Sequence, residues 1–204
     1  MNRRVEDLHP SVRGLCRRLV AESQARGIGL VVTSTLRTEA EQLALFAQGR
    51  KGLETVNGLR AEAGLPPITA EQNRVVTRAL ASVHQFGLAF DVAVVKDGRA
   101  VWDLKADING NGAADYEEVG RLGKGLGLEW GGDFAFKDYC HFQLTRGLSV
   151  KELREGKRPE PPLGETAADG CASPLAGGGE GAGAGRPRTV EAAVCHAPLK
   201  KEER

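Results

Sequence analysis

Apolar positions along the chain follow two rhythms, and the switches between them outline its elements. From Pro10 to Arg26, the residues Val12, Leu15, Cys16, Leu19 and Val20 recur at three-four spacing. That spacing predicts a helix with one apolar stripe, stopped by Gly27. Ile28 to Ser34 is β-branched and apolar without helical period, which predicts a buried strand delivering Thr35-Leu36-Arg37 to its end. Thr38-Glu39-Ala40-Glu41 is a capping box opening a second helix through Leu43, Ala44, Phe46 and Ala47 to Gly49. Residues 50–68, with Asn57-Gly58, Gly64 and Pro66-Pro67, read as a turn-rich excursion with no assigned element. Thr69-Ala70-Glu71-Gln72 reads as another capping box, predicting a helix through Val75, Val76, Ala79 and Leu80.

The second half shortens its period. Ala89 to Val95 predicts a strand, Asp97-Gly98 a hairpin turn, and Arg99 to Trp102 the returning strand. A loop precedes an apolar-striped helix through Tyr116, Val119, Leu122 and Leu126, and Leu128 to Phe134 leads to a short final strand at His141-Phe142-Gln143-Leu144. Helices and antiparallel hairpins in separate runs place the chain in the α+β class, a small antiparallel sheet flanked by helices. From Lys157 onward, prolines and the glycines around Gly177-Gly178-Gly179 interrupt every pattern. Residues 157–204 therefore read as a disordered tail behind a domain spanning 1–150.

Charge and composition narrow the classes. Lys plus Arg is 28 and Asp plus Glu is 27. A net charge of +1, with no basic block, argues against a partner bound through phosphates, so no nucleic acid is expected. No run of about 18 apolar residues exists, so no membrane insertion is expected. The N-terminal Arg3-Arg4 is followed by no apolar core or cleavage site, so no Sec signal peptide is read there and synthesis in the cytoplasm is expected. The four cysteines, Cys16, Cys140, Cys171 and Cys195, form no Cys-x-x-Cys pair, and this excludes a zinc ribbon or thioredoxin motif. A monomer is expected.

The chemistry concentrates around Ser82-Val83-His84-Gln85-Phe86-Gly87-Leu88-Ala89-Phe90-Asp91. Seven residues of extended chain would hold His84 and Asp91 roughly 23 Å apart, and a continuous helix about 10 Å. Zinc needs its donors at about 2.0–2.2 Å, so the two share an ion only if the chain folds back, and Gly87 supplies a turn for that. The alternative is a surface histidine and a strand-edge aspartate that never meet. Asp138-Tyr139-Cys140-His141-Phe142 adds a third metal donor in His141 and a carboxylate three residues earlier. A strict strand would point Asp138 and His141 to opposite sides, so a turn through Tyr139 and Cys140 is required to aim both at one ion. A carboxylate so placed is the general base of metal-assisted hydrolysis, and Arg37, always charged, would stabilise an oxyanion or hold a substrate carboxylate.

These residues together resemble a known family. Ser82-x-His84-x-x-Gly87-x-Ala89-x-Asp91 with Asp138-x-x-His141-Phe142 is similar to the signature of zinc peptidases related to D-Ala-D-Ala carboxypeptidases, which share a fold with the hedgehog signalling domain. Within that group the likeness is to L-alanyl-D-glutamate endopeptidases, many of them phage endolysins. Ser34-Thr35-Leu36-Arg37-Thr38, Glu41-Gln42, Gln48-Gly49-Arg50 and Trp130-Gly131-Gly132-Asp133-Phe134 add to it, and the match spans roughly residues 8 to 146. The resemblance implies zinc held by His84, Asp91 and His141, Asp138 as catalytic base, assistance from Arg37, and substrate contacts from Ser82 and Trp130. It implies bacterial peptidoglycan as partner, cleavage between L-Ala and D-Glu, and action on the cell wall after holin-mediated release. Asp138 stands where the carboxypeptidase and dipeptidase branches usually carry glutamate, which favours the endopeptidase. The rivals are a D-Ala-D-Ala carboxypeptidase or dipeptidase, and a non-catalytic binding module of the same fold.

A second ion is suggested by Asp107-Ile108-Asn109-Gly110-Asn111-Gly112-Ala113-Ala114-Asp115-Tyr116-Glu117-Glu118, which fits the EF-hand loop pattern at every specified position. Calcium would take oxygens of Asp107, Asn109, Asn111, the Ala113 carbonyl, Asp115 and Glu118. The segment before it reads as a strand, so the loop is not part of a full helix–loop–helix hand. The alternative is a loop that merely caps the next helix.

Overall fold

The computed structural model describes residues 2–159; the tail predicted for 157–204 lies outside the described residues from position 160 on. Helix α1 (Pro10–Gln24) opens with Pro10 at its first position, where the missing N–H costs nothing, and lays Val12, Cys16 and Leu19 fully buried against the sheet. Strand β1 (Gly29–Ser34) follows, then α2 (Glu39–Ala47), whose Thr38 capping box is fully formed, and α3 (Leu53–Glu62). Strand β2 (Ala89–Lys96) turns through Asp97 and Gly98, both at positive φ, into β3 (Arg99–Val101). Helix α4 (Asp115–Gly125), strands β4 (Glu129–Trp130) and β5 (His141–Gln143), and a short α5 (Val150–Arg154) complete the order. All strand pairs are antiparallel, in the order β1-β2-β5-β4 with β3 against the far end of β2.

Register explains how the core and the cleft share one strand. Phe90 and Phe142 lie opposite each other in β2 and β5, and their rings stack at 5.6 Å. Phe90, Val92 and Val94 face the core under α1 and α4, where Tyr116 and Val119 meet them. Successive side chains of a strand point to opposite faces, so Asp91 turns away from that core. Its register partner in β5 is His141. A bulge between Val32 and Ser34 brings Ser34 opposite Asp91 on the other side.

Two stretches differ from the sequence reading. The supposed excursion contains helix α3. Its N-cap, Gly52, offers no side-chain bond, and Asn57-Gly58 mimics a turn. Asn57 instead sits in the helix and exchanges two hydrogen bonds with the backbone of Ile68. The helix expected from Thr69 does not form. The Thr69 carbonyl accepts from the Asn73 amide and Gln72 caps the Thr69 amide, but one turn is all that follows. Beyond it the carbonyls that a helix would use are taken by side chains of the α2 region: Arg50 bonds Thr77 and Gln42 bonds Ala79. Residues 76–82 therefore run without regular structure along the cleft, in a segment whose β-branched Val75, Val76 and Thr77 give weak helix propensity.

Candidate metal centre and active-site cleft

His84 reaches the site through a tight turn. Ser82 accepts from the His84 amide and Gln85 caps the Ser82 amide, forming the short 3-10 segment Val83–Phe86. Gly87 closes it at φ +67, a left-handed conformation costly for any side chain, and a Cβ there would lie 3.0 Å from the His9 nitrogen. The chain reverses at that point. The seven-residue gap to Asp91 thus collapses until His84 Nε2 stands 3.3 Å from Asp91 Oδ1.

His141 arrives from the other side. The turn through Tyr139 and Cys140 is present, with the His141 amide donating to the Asp138 carbonyl at 3.1 Å. Gly131 packs against that carbonyl so closely that a Cβ would sit 2.3 Å from it. His141 Nδ1 lies 3.0 Å from the same Asp91 Oδ1, and the two imidazole centroids are 5.1 Å apart. Among the described residues, His84, Asp91 and His141 form the one trio of this kind whose ligand atoms all fall within 4.8 Å of each other.

Hydrogen bonding selects the ring nitrogens. His84 Nδ1 faces the Thr35 carbonyl at 2.8 Å; a carbonyl only accepts, so Nδ1 carries the proton and Nε2 keeps its lone pair toward Asp91. His84 Nε2 and His141 Nδ1 both face Asp91 Oδ1, so one potential metal donor from each of the three residues falls within 4.8 Å of the others. Two imidazoles and a carboxylate, each imidazole with its other ring nitrogen near an oxygen acceptor, are a donor set that zinc takes in open sites. These residues fit zinc.

Charge in the buried trio follows the same logic. Burial pushes His84 below the ordinary histidine value, keeping it neutral. Burial alone would raise Asp91, but the His84 and His141 imidazoles outweigh it and hold the carboxyl well below its usual range. Burial likewise opposes a charge on His141, yet Asp91 beside it and Asp138 nearby raise it overall.

The trio lies on the wall of a cleft of about 370 Å³. Arg37 and Asp138 line it too, and Cys140 donates its thiol to Asp138 Oδ1 at 3.1 Å. Arg37 is held by three groups: Gln42 at 2.8 Å, Ser34 at 3.2 Å, and Asp91 Oδ2 at 3.6 Å. Ser82 lines the cleft. Trp130 does not: it is 5% exposed, its indole packs over Gly120 and Gly132, and its N–H donates to the Tyr139 carbonyl. An aromatic expected at substrate is therefore a core residue, and the cleft's aromatics are Trp102, Phe134 and Phe136. Gln42 and Gln143 carry no role in the sequence reading. The signal for Gln143 is a polar side chain two residues after His141, hence on the same strand face.

A sequence profile of the family described as D-alanyl-D-alanine carboxypeptidase matches residues 76–144. The peptidoglycan L-alanyl-D-glutamate endopeptidase CwlK of Bacillus subtilis (strain 168) is 37% identical over 142 residues, covering 68% of this chain and 74% of that protein. The chain belongs to this peptidase family. The profile's span contains His84, Asp91, Asp138 and His141, the residues that the fold gathers at the cleft. Among solved structures, the L-Ala D-Glu endopeptidase ChiX of Serratia marcescens is similar at a TM-score of 0.44 and 22% identity, over 69% of this chain and 83% of that one. The vancomycin-resistance D,D-pentapeptidase VanY of a VanB-type cassette, solved as a mutant in complex with Zn(II), is similar at a TM-score of 0.39 and 15% identity, over 72% and 76%.

The loop singled out for calcium runs from after β3 into the first turn of α4, and its side-chain oxygens accept from groups of the loop itself. Asp107 accepts from the amides of Asn111 and Gly112, Asn111 accepts from Ala113, and Glu118 accepts from the side chains of Asn111 and Asn109. Asp115 is fully buried, and its Oδ1 has no hydrogen-bond partner. Burial raises its carboxyl, and the nearby Asp107 and Glu118 charges raise it further.

Proposed function

We propose that this chain is a zinc-dependent peptidoglycan peptidase that hydrolyses the L-Ala–D-Glu bond of the stem peptide. The observation that carries the reading is the meeting of His84, Asp91 and His141 at one point on the wall of a cleft that also holds Asp138 and Arg37. The 37% identity to an endopeptidase of that specificity, across 74% of its length, supports the bond assignment.

In this reading His84 Nε2, Asp91 and His141 Nδ1 hold the metal. Bound zinc supplies Lewis-acid polarisation of water and of the scissile carbonyl. Asp138 takes the proton of the attacking water and delivers it to the leaving amine of D-Glu, so one carboxylate serves both halves of the reaction. The Cys140 thiol, donating to Oδ1, holds that carboxylate in place. Arg37, its Nη1 held by Gln42, keeps Nη2 beside Asp91 and offers positive charge to the developing oxyanion or to a substrate carboxylate. Phe134 and Phe136 present apolar surface for the stem, with Ser82 beside them.

Calcium is the second ion of this proposal. Three carboxylates from Asp107, Asp115 and Glu118 share one short loop, and a cation would meet the buried Asp115 oxygen that has no donor. Calcium bound there would order the stretch between β3 and α4. A phage endolysin released by a holin is the biological setting proposed, on the family resemblance. No helix among the described residues is long and apolar enough to cross a membrane.

The description of the matching profile favours a second reading, removal of terminal D-Ala. Two synthetic stems decide between them. Cleavage of an L-Ala-D-Glu-containing tripeptide with a pentapeptide's D-Ala-D-Ala end left intact supports the endopeptidase; the reverse preference overturns it. Zinc binding without cleavage of either stem would assign a binding module.

A further inference from the structure

A second arginine is held ready in the cleft, apart from Arg37. Arg78, in the irregular segment 76–82, and Phe136, in the loop between β4 and β5, both line it, and the Arg78 Cζ lies 3.9 Å from the centre of the Phe136 ring. The ring face attracts the cation but offers no oxygen to its N–H donors, so the guanidinium is steadied with its hydrogen-bonding edge open. The backbone on either side of Arg78 is pinned. The Thr77 carbonyl accepts from Arg50 at 3.0 Å, and the Ala79 carbonyl accepts from Gln42. Gln42 also holds Arg37, so one amide sets the place of both arginines.

The two cations differ in what already meets them. Arg37 is largely buried and engaged by Gln42, Ser34 and Asp91. Arg78 is exposed, and among the described residues its guanidinium meets no carboxylate and no hydrogen-bond acceptor. The third cation of the cleft, Lys137, has its Nζ 5.6 Å from the Tyr139 ring. The acidic side chains of the lining are Asp91 and Asp138, which belong to the metal trio and the base. A planar fork of donors without a protein partner, beside the reacting groups, suits a carboxylate of the substrate.

The stem peptide supplies one next to the scissile bond. D-Glu is joined onward through its γ-carboxyl, so its α-carboxyl stays free on the carbon that bears the scissile nitrogen. Where that group is amidated, the charge is gone and a single neutral oxygen is left to accept. We propose that Arg78, seated on Phe136, binds the α-carboxylate of D-Glu and makes the enzyme select stems with the free acid over amidated ones. The inference rests on the L-Ala–D-Glu reading above. It divides the cationic roles: Arg37 serves the reacting carbonyl, and Arg78 reads the substrate's own charge.

The test sets N-acetyl-L-Ala–γ-D-Glu–L-Lys against the same tripeptide with the α-carboxyl amidated, using the zinc-loaded full chain. Wild type should favour the acid stem in kcat/KM on the order of tenfold, the size of a charged hydrogen bond at an exposed rim. Arg78→Ala should bring that ratio close to one, mainly through KM. Arg78→Lys should keep part of it, since the charge survives but the fork does not, and Phe136→Leu should lower it by loosening the guanidinium. A residue that merely supported the 76–82 segment would depress both stems alike and leave the ratio intact. Equal wild-type kcat/KM on the two stems, an unchanged ratio in Arg78→Ala, or a ratio lost in Lys137→Ala but not in Arg78→Ala would overturn the inference. Calorimetric binding of both stems to the zinc-loaded Asp138→Ala protein, with and without Arg78→Ala, reads the same preference without turnover. Cleavage of neither stem by the wild type would remove the peptidase reading, while a binding preference lost with Arg78→Ala would still support the role of Arg78. Binding without preference, or no binding, would overturn it.

Discussion

Arg37 and Gln42 are locked together: Arg37 Nη1 donates to Gln42 Oε1 at 2.8 Å, while the Gln42 amide donates to the Ala79 carbonyl at 2.5 Å. One buried amide thereby ties the cationic side of the site to the irregular wall of the cleft. Gln42→Ala would leave the Ala79 carbonyl and an arginine N–H without partners, at about 1–3 kcal/mol of stability. Because Arg37 also abuts Asp91, kcat/KM should fall on the order of 10–100-fold, as for other outer partners of metal ligands. Urea unfolding and steady-state kinetics of the variant check both. Wild-type kinetics would show that Arg37 does not depend on Gln42.

The Trp130 indole belongs to the core, so its removal should cost stability. Trp130→Ala should lose about 3–5 kcal/mol in chemical denaturation. Phe136 lines the cleft and is 67% exposed, so Phe136→Ala should shift stability by no more than about 0.5 kcal/mol while raising KM. A stable Trp130→Ala protein with raised KM would restore Trp130 to the substrate side.

Glu129 predicts an acid limb. Its folded carboxyl lies below the usual value of 4.5 because Gln143, Thr145 and Arg146 donate to it. The stability it contributes is present in full above that usual value and is lost as pH falls through the lower folded one. Metal-free wild type should therefore lose stability below about pH 4.5 more steeply than Glu129→Gln. Denaturation midpoints across that range measure it, and equal slopes would contradict the assignment.

Calcium should stabilise the loop. At a hundredfold excess over its dissociation constant it would add about 2.7 kcal/mol, visible as a raised melting temperature. Glu118→Ala combined with Asp107→Ala should abolish that rise. A calcium-independent melt of the wild type would leave the loop as a cap for α4.

Much of the fold is legible in the chain. The α1 stripe, the Thr38 capping box and the Asp97-Gly98 hairpin are local signals, and each forms as read. Residues 69–80 escape the reading because a sound capping signal at Thr69 is overridden from a distance: Arg50, Gln42 and Asn73 take up backbone or side-chain bonds that fix the segment against α2. Helix α3 is hidden by the opposite fault, a glycine N-cap and an Asn-Gly pair inside the helix. At the site, donor chemistry makes His84, Asp91 and His141 candidates, and the family resemblance joins them into one ligand set. Glu129 cannot be read this way, because its link to His141 through Gln143 depends on the β4–β5 register, which no local pattern specifies.

The most direct test is mass spectrometry of peptidoglycan digested by the zinc-loaded protein beside an Asp138→Ala control. New amino termini on D-Glu in the wild-type digest, absent from the control, are the expected result. Loss of only terminal D-Ala, or the same D-Glu termini released by the Asp138→Ala protein, would contradict the account.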